Sequence, residues 1–294
     1  MTHELTFIIV TFNSSKIISE TLSSIDQSKY NVIVVDNAST DNTAQIIKNN
    51  FPQTALIENP KNVGFGRGNN IGFEKVQTEF TCVLNPDCFV DDKSIVEILK
   101  TLKANPNIAI ANGVPYSGYL NNKTQKIITT KIDEIAAKGQ TDDKGDYYNV
   151  TFISGCCIFF KKEILKKIGL FYKNFFIYCE DNELCKRVMK NKYQIATVKN
   201  AKITHLSGKS SDLSNPKIAY AILWHKFGWS KCYYTQAVHN KLIAKLKAIK
   251  NIIKRLIIIA IKKQKPILVD KAILNGCFGY LVGKKAFDKM ITLL

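Results

Sequence analysis

Leu5–Thr11 (LTFIIVT) is a continuous apolar run that stops at the polar cluster Asn13-Ser14-Ser15, after which Ile17, Ile18, Leu22 and Ile25 recur at helical spacing. The pattern repeats: Asn31–Asp36 (NVIVVD), a polar stretch from Asn37 to Asp41, then a helical segment to about Asn49. Residues 54–58 form a third short run and Phe80–Leu84 another, which ends in Asn85-Pro86-Asp87. Runs that lack in/out alternation belong to strands buried on both faces, so the spacing predicts a mostly parallel sheet with helices on both faces. In such sheets ligands lie beyond the carboxyl ends of the strands, and Thr11, Asn13, Asn37, Asp36 and Asp87 all fall there.

Further along, residues 62–72 are rich in Gly and Asn and read as a turn, and residues 115–146 are polar and rich in Gly, Lys and Asp. Residues 147–153 are apolar again and 161–168 helix-like. The spacing of Leu184 and Val188 predicts a helix over 180–191 whose first turn carries Glu180 and Asp181. His205 follows a short strand. Beyond residue 240 the character changes. Leu242, Leu246, Ile249, Ile253, Leu256 and Ala260 are spaced by three and four, and Lys241, Lys245, Lys247, Lys250, Lys254 and Arg255 fill much of the remainder. A second apolar element is expected over residues 272–285.

Charge confirms that division. Of 42 Lys and Arg and 24 Asp and Glu, residues 1–198 hold 23 and 21, whereas residues 199–294 hold 19 and only 3. The net charge of +18 therefore lives in the last third, which asks for a polyanionic partner: nucleic acid or an anionic membrane leaflet. Two regions are expected, 1–210 and 211–294. The eight cysteines form no CxxC pair, and a chain of 294 residues has core enough without disulfides, so reduced thiols are expected. The start of the chain lacks the basic segment and cleavage site of a signal peptide. The longest charge-free apolar run in the tail, residues 256–261, falls far short of the ~20 residues that span a bilayer.

Each polar position admits a chemical and a structural reading. Asp36 can accept an imide N–H or a ribose hydroxyl, or it can cap the next helix. Gly64-Phe65-Gly66-Arg67-Gly68-Asn69-Asn70 can bring backbone N–H groups and Arg67 to a diphosphate, or it is a turn. Asp87 can hold a hard cation with phosphate oxygens, or Asn85-Pro86-Asp87 is a type I turn. Glu180 and Asp181 open a helix whose dipole favours the charged, proton-accepting carboxylate. His205 can complete a metal shell, or it is an ordinary polar residue.

Their order along the chain narrows these choices. Thr-x-Asn after the first strand, Val-Asp-Asn-Ala-Ser-Thr-Asp after the second, Asn-x-Gly-Phe-x-x-Gly-Asn-Asn-x-Gly, Leu-Asn-Pro-Asp, Phe-Phe-x-Tyr-x-Glu-Asp-x-x-Leu-Cys-x-Arg and His-x-x-Gly follow one another over residues 5–210. This series resembles family 2 of the inverting glycosyltransferases with the GT-A fold, within it the rhamnosyltransferase-like branch. The resemblance implies a nucleotide-sugar donor, with a dTDP-rhamnose or UDP-sugar favoured, and a lipid-linked or surface glycan acceptor. Thr11, Asn13, Asp36 and Asn37 match nucleotide-recognition positions, Arg67 and Asn69 lie in the loop expected near the diphosphate, and Asn85 lies near the ribose. Asp87 and His205 match the metal ligands, for Mn²⁺ or Mg²⁺, and Asp181 matches the general base with Glu180 as its neighbour. One departure stands out: Asn85 occupies the first acidic position of the usual Asp-x-Asp, which weakens the expected metal affinity.

A basic amphipathic helix lies in the membrane interface, and its apolar face would be wasted on phosphate, so the tail is expected on an anionic membrane surface rather than on nucleic acid. A coiled coil or a core helix has the same spacing, and a homodimer is left open. The expected location is cytoplasmic, peripheral on the inner face of the cell membrane. Two other functions fit parts of the pattern: a nucleotidyltransferase with the same metal-nucleotide crevice, and a non-enzymatic polyanion-binding protein.

Overall fold

The computed structural model describes residues 3–121, 126–131, 140–206, 215–262 and 267–287. It divides into two compact units. The first comprises residues 1–62, 68–171 and 184–210; the second comprises 63–67, 172–183 and 211–294. The boundary near 210 expected from charge is thus supplemented by two short segments from earlier in the chain, and the second of these carries Glu180 and Asp181.

The first unit is built on β1 (Leu5–Thr11), β2 (Asn31–Asp36), β3 (Ala55–Glu58) and β4 (Phe80–Leu84), which pair in parallel in the order β3-β2-β1-β4. β1 is buried along nearly its whole length, and the reason is helices on both faces. Leu5, Phe7 and Ile9 share a core with Ile18 and Leu22 of α1 (Ile18–Ser23). Neighbouring α2 (Thr43–Asn50) adds Ile47 to this core. On the opposite face, α3 (Phe65–Phe73) lies so close to the sheet that a Cβ on Gly72 would stand 2.6 Å from the Ile8 side chain. Residues 62–72 were expected as a turn; from Phe65 onward they are helix, and Gly72 supplies clearance against the strands.

Beyond β4 the sheet ceases to be parallel. β5 (Cys88–Val90) is followed by α4 (Asp92–Ala104), which Asp91 caps by accepting from Ser94 N–H at 2.7 Å, and by the long β6 (Ile108–Asn121). β7 (Lys126–Lys131), β8 (Gln140–Asp143) and β9 (Tyr147–Val150) come next, then β10 (Cys157–Lys161), α5 (Lys162–Ile168), α6 (Glu180–Lys190) and β11 (Gln194–His205). β10 runs antiparallel between β4 and β6, β11 is parallel to β6, and β7, β8 and β9 pair antiparallel at the margins. The expectation of a mostly parallel sheet therefore holds for the first four strands, and the rest is mixed. Within residues 115–146 the described parts include the end of β6, β7 and β8; 122–125 and 132–139 lie outside the described residues.

In the second unit α7 (Pro216–Leu223), a π-helical turn (Trp224–Trp229), α8 (Ser230–Val238), α9 (Lys241–Lys262) and α10 (Leu268–Leu281) enclose a core of Trp224, Trp229, Ile273 and Tyr280. α9 is the predicted basic amphipathic helix, and it turns an unexpected face inward. Ala244 and Ala248 are buried, and Arg255 pairs with Asp270 at 2.9 Å. Leu242, Leu246, Ile253, Leu256 and Ile261 are 51–75% exposed. The small side chains permit close helix packing, which leaves the large ones outside. Among the described residues that apolar stripe is therefore not part of the core. No helix among the described residues is long and apolar enough to cross a membrane.

Candidate functional site

Parallel register sets the first group. Thr11 and Asp36 are Cα partners at the carboxyl ends of β1 and β2. Thr11 Oγ1 donates to Asp36 Oδ1 at 2.9 Å, Asn37 N–H donates to Thr11 O at 2.8 Å, and Ser39 donates its N–H to Asp36 Oδ2 and its hydroxyl to Oδ1. Asn13, in the left-handed region at φ 53°, accepts from Thr40 N–H at 2.8 Å and donates its own N–H to Ser39 Oγ at 2.8 Å. Asp41 accepts from the N–H groups of Ser15 and Thr43. The two loops after β1 and β2 are therefore laced together, and Asp36, only 3% exposed, is a principal knot. Its carboxylate fixes the loop that follows its own strand. The serine and threonine rungs Ser39, Thr40 and Thr43 went unassigned from sequence, although the run Ala-Ser-Thr-Asp after a strand is a signal for side-chain-to-backbone bonding.

The glycine-rich segment also takes another form. Gly64 has φ +80°, and a Cβ there would meet Phe176 O at 2.3 Å, so only glycine fits. Phe65 N–H donates to the same carbonyl at 2.8 Å. Arg67 donates from Nε to Lys173 O at 2.6 Å and lays its guanidinium 3.7 Å over the Phe287 ring, both within the second unit. Its Nε and one face of its guanidinium thus have protein partners. Asn69 is 1% exposed within α3.

The second group is assembled by an antiparallel pairing that the sequence did not reveal. β5 pairs with the end of β11, with His205 opposite Cys88, and Leu206 N–H donates to Asp87 O at 2.9 Å. Cys88 N–H donates to Asn85 O at 3.0 Å, which closes the turn through Pro86. As a result Asp87 Oδ1 and His205 Nε2, 118 residues apart in sequence, stand 3.2 Å from each other. Asp87 is fully buried and His205 partly exposed. Burial works against the imidazolium, but the hydrogen bond and charge of Asp87 outweigh it and raise the His205 pKa.

This pair suits a small divalent cation. Two cis ligands on an octahedral ion, each at about 2.1 Å, lie about 3 Å apart, close to the observed separation. One carboxylate and one imidazole form a donor set for Mn²⁺ or Mg²⁺ when the remaining ligands are phosphate oxygens and water. No cluster of three or more His, Cys, Asp or Glu that could hold a metal occurs among the described residues, so the chain itself offers few ligands. Asn85 is half-buried at the start of the same turn. Ser207 and Gly208 of the His-x-x-Gly signature lie outside the described residues.

The acid pair behaves differently from the reading of its sequence. Tyr178 and Cys179, with φ 66° and 71°, make two consecutive left-handed non-glycine residues before α6, a conformation that costs free energy and occurs chiefly at functional sites. Glu180 is 5% exposed, and its Oε2 has no hydrogen-bond partner among the described residues. Burial, and then the negative charge of Asp181, push its pKa from 4.5 up to about 8. The helix terminus favours the anion by only about 0.3–1 kcal/mol, so burial wins and Glu180 is mostly protonated at neutral pH. Asp181 is half-buried and accepts from Asn182 N–H at 2.7 Å and Asn182 Nδ2 at 2.9 Å. Burial thus sets Glu180 apart from its neighbour, which is only half-buried.

A pH effect follows. The folded protein holds the Glu180 proton up to about pH 8, whereas the unfolded chain releases it near 4.5, so this residue makes stability fall as pH rises between those values. Glu180→Gln, which mimics the protonated acid, is expected to flatten the decline. Calorimetry at pH 5.5 and 8.5 checks it: the loss of Tm across the interval should be smaller in the variant by several degrees, and equal losses contradict the assignment.

A protein-family model described as "Glycosyl transferase family 2" matches residues 6–169, more than half of the chain. The chain belongs to glycosyl transferase family 2. Among curated proteins, this family member is 27% identical over 173 residues to a poly-beta-1,6-N-acetyl-D-glucosamine synthase of Staphylococcus epidermidis, a match that takes in 56% of this chain and 41% of the relative. The chain spans about two fifths of the length of such relatives. Among solved structures, a mannosyltransferase of Pyrobaculum calidifontis in complex with GDP-Man and Mn²⁺ superposes with a TM-score of 0.59 at 16% identity, over 98% of this chain and 88% of that one. TarS of S. aureus gives 0.54 at 15% identity, over 82% and 41%. These similarities establish the GT-A fold expected from the sequence.

Proposed function

We propose that this family 2 member transfers a sugar from a nucleoside diphosphate donor to a hydroxyl of a lipid-linked or surface glycan acceptor, with inversion at the anomeric carbon. The observation that carries this reading is the Asp87–His205 pair at the carboxyl end of β4, brought together by the β5–β11 pairing. In this reading the laced loops of Thr11, Asn13, Asp36 and Asn37 shape the nucleoside end of the donor site, and Asn69 and Asn85 belong to the same crevice. Asp87 and His205 would hold Mn²⁺ or Mg²⁺, which supplies positive charge against the developing charge of a leaving diphosphate. The mannosyltransferase solved with GDP-Man and Mn²⁺ supports that choice of cation. Asp181 takes the proton from the attacking hydroxyl; Glu180, neutral, adds no competing negative charge. The donor is read as a dTDP- or UDP-sugar. Rhamnose, from the motif pattern, and an N-acetylhexosamine, from the name of the staphylococcal relative, are the sugars to separate.

Incubation with UDP-, dTDP- and GDP-sugars in the presence of Mn²⁺ should release nucleoside diphosphate from one donor class. Release of pyrophosphate instead would identify a nucleotidyltransferase.

The exposed stripe on α9 and its lysines support a peripheral seat on the inner face of the cell membrane. Apolar burial of this kind contributes about 1.5–3 kcal/mol for each large side chain that leaves water. Leu246→Glu with Ile253→Glu is expected to abolish co-flotation with anionic vesicles while the circular dichroism spectrum is kept, since both side chains are already outside the core. Unchanged flotation would contradict the membrane reading.

A further inference from the structure

The second unit contains a cavity of about 520 Å³ whose chemistry the proposed reaction does not use. Arg67, Lys241, Lys245, Lys284 and Lys285 line it, with Trp229, Tyr233, Tyr280 and Phe287 among its aromatic walls, and among the described residues no carboxylate does. The local structure explains why the cations converge. α10 ends in a Schellman motif: Gly283, at φ +77°, donates to Tyr280 O at 3.2 Å and Lys284 N–H donates to Gly279 O at 2.9 Å. The turn carries Lys284 and Lys285 back to the cavity, and Trp229 Nε1 pins it by donating to Lys284 O at 2.8 Å. Trp229 and Tyr233 stack at 5.1 Å, 9° from parallel, and Arg67 is held over Phe287. These contacts hold the walls in place, and the charged residues named are all cationic.

The position of Lys241 and Lys245 adds the second half. They lie one turn apart on α9, between the inward row of Ala244 and Ala248 and the exposed row of Leu242, Leu246 and Ile249. A cationic cavity thus opens beside an apolar stripe on one helix. A soluble anion would use only the first; an amphiphile with an anionic head uses both. Phosphate fits the head better than a carboxylate does, because a phosphomonoester carries up to two charges and three acceptor oxygens for several converging cations. We propose that this cavity is a head-group site for a phosphate-bearing lipid, whose hydrocarbon chain runs along the exposed face of α9. The proposal rests on the membrane reading given above, and it adds a defined binding site to what would otherwise be general attraction to charge.

The full chain is tested by flotation with phosphatidylcholine vesicles doped with phosphatidic acid, or with oleate to the same surface potential. The phosphatidic acid vesicles should bind at least about tenfold more tightly. Lys241→Gln, Lys245→Gln and Lys284→Gln together should erase that preference. Lys247→Gln, Lys250→Gln and Lys254→Gln, which remove the same charge from the same unit outside the cavity, should weaken both vesicle types alike and keep the preference. Soluble dihexanoyl phosphatidic acid should compete where inorganic phosphate at equal concentration does not. Equal binding to the two vesicle types overturns the head-group site and leaves the membrane reading standing. Binding to neither overturns both. Equal competition by inorganic phosphate overturns the lipid in favour of a free anion.

Discussion

Asp181→Asn is expected to lower kcat by about a thousandfold, within the range of roughly 10²–10⁴ that a positioned general base contributes, while donor affinity changes by no more than a few fold. The amide keeps the shape of the side chain and its ability to accept from Asn182, but it has no lone pair basic enough to take the proton of an attacking hydroxyl. The neighbouring substitution gives the contrast. Glu180 is mostly protonated at neutral pH, so Glu180→Gln replaces one neutral group with another and should cost less than about tenfold. Steady-state kinetics, with donor binding followed by calorimetry, read both quantities. A large loss in Glu180→Gln with near-normal turnover in Asp181→Asn would exchange the two roles and refute the division of labour drawn from their burial.

The burial that separates these acids could not be read from the sequence, where both stand in the first turn of a helix and look alike. The strands were a different matter. β1, β2 and β4 begin and end where their apolar runs do, because a strand covered on both faces must be apolar at every position. α3 escaped notice because Phe-Gly-Arg-Gly-Asn-Asn-Ile-Gly-Phe is poor in helix formers; close packing against Ile8 and Val35 holds it, and that is a tertiary effect overriding local preference. The outer strands were lost for the opposite reason. Edge strands such as β8, Gln-Thr-Asp-Asp, are polar and carry no periodic signal. At the candidate site, the residue types at the strand ends were legible, and their partnerships were not. Asp36 was visible as a lone carboxylate, whereas its bonds to Thr11 and Ser39 depend on two loops meeting.

Asp87→Asn is expected to have the other large effect, a loss of at least about a hundredfold in turnover together with a rise in the Mn²⁺ concentration needed for half-maximal rate. Asp87 offers the negative charge of the cation pair, since His205 is neutral when it ligates and Asn85 stands where a second acid would add charge. His205→Gln keeps that carboxylate and should be milder, about tenfold, because an imidazole contributes one neutral ligand. Titration of Mn²⁺ binding in the presence of nucleoside diphosphate, followed by paramagnetic resonance, separates metal affinity from turnover. The fold should tolerate Asp87→Asn, because the amide fills the same volume and the Asp87 carbonyl still accepts from Leu206 N–H. Unaltered metal affinity in Asp87→Asn would mean that the 3.2 Å contact with His205 is a structural ion pair closing β5 onto β11, and the cation would have to be sought elsewhere.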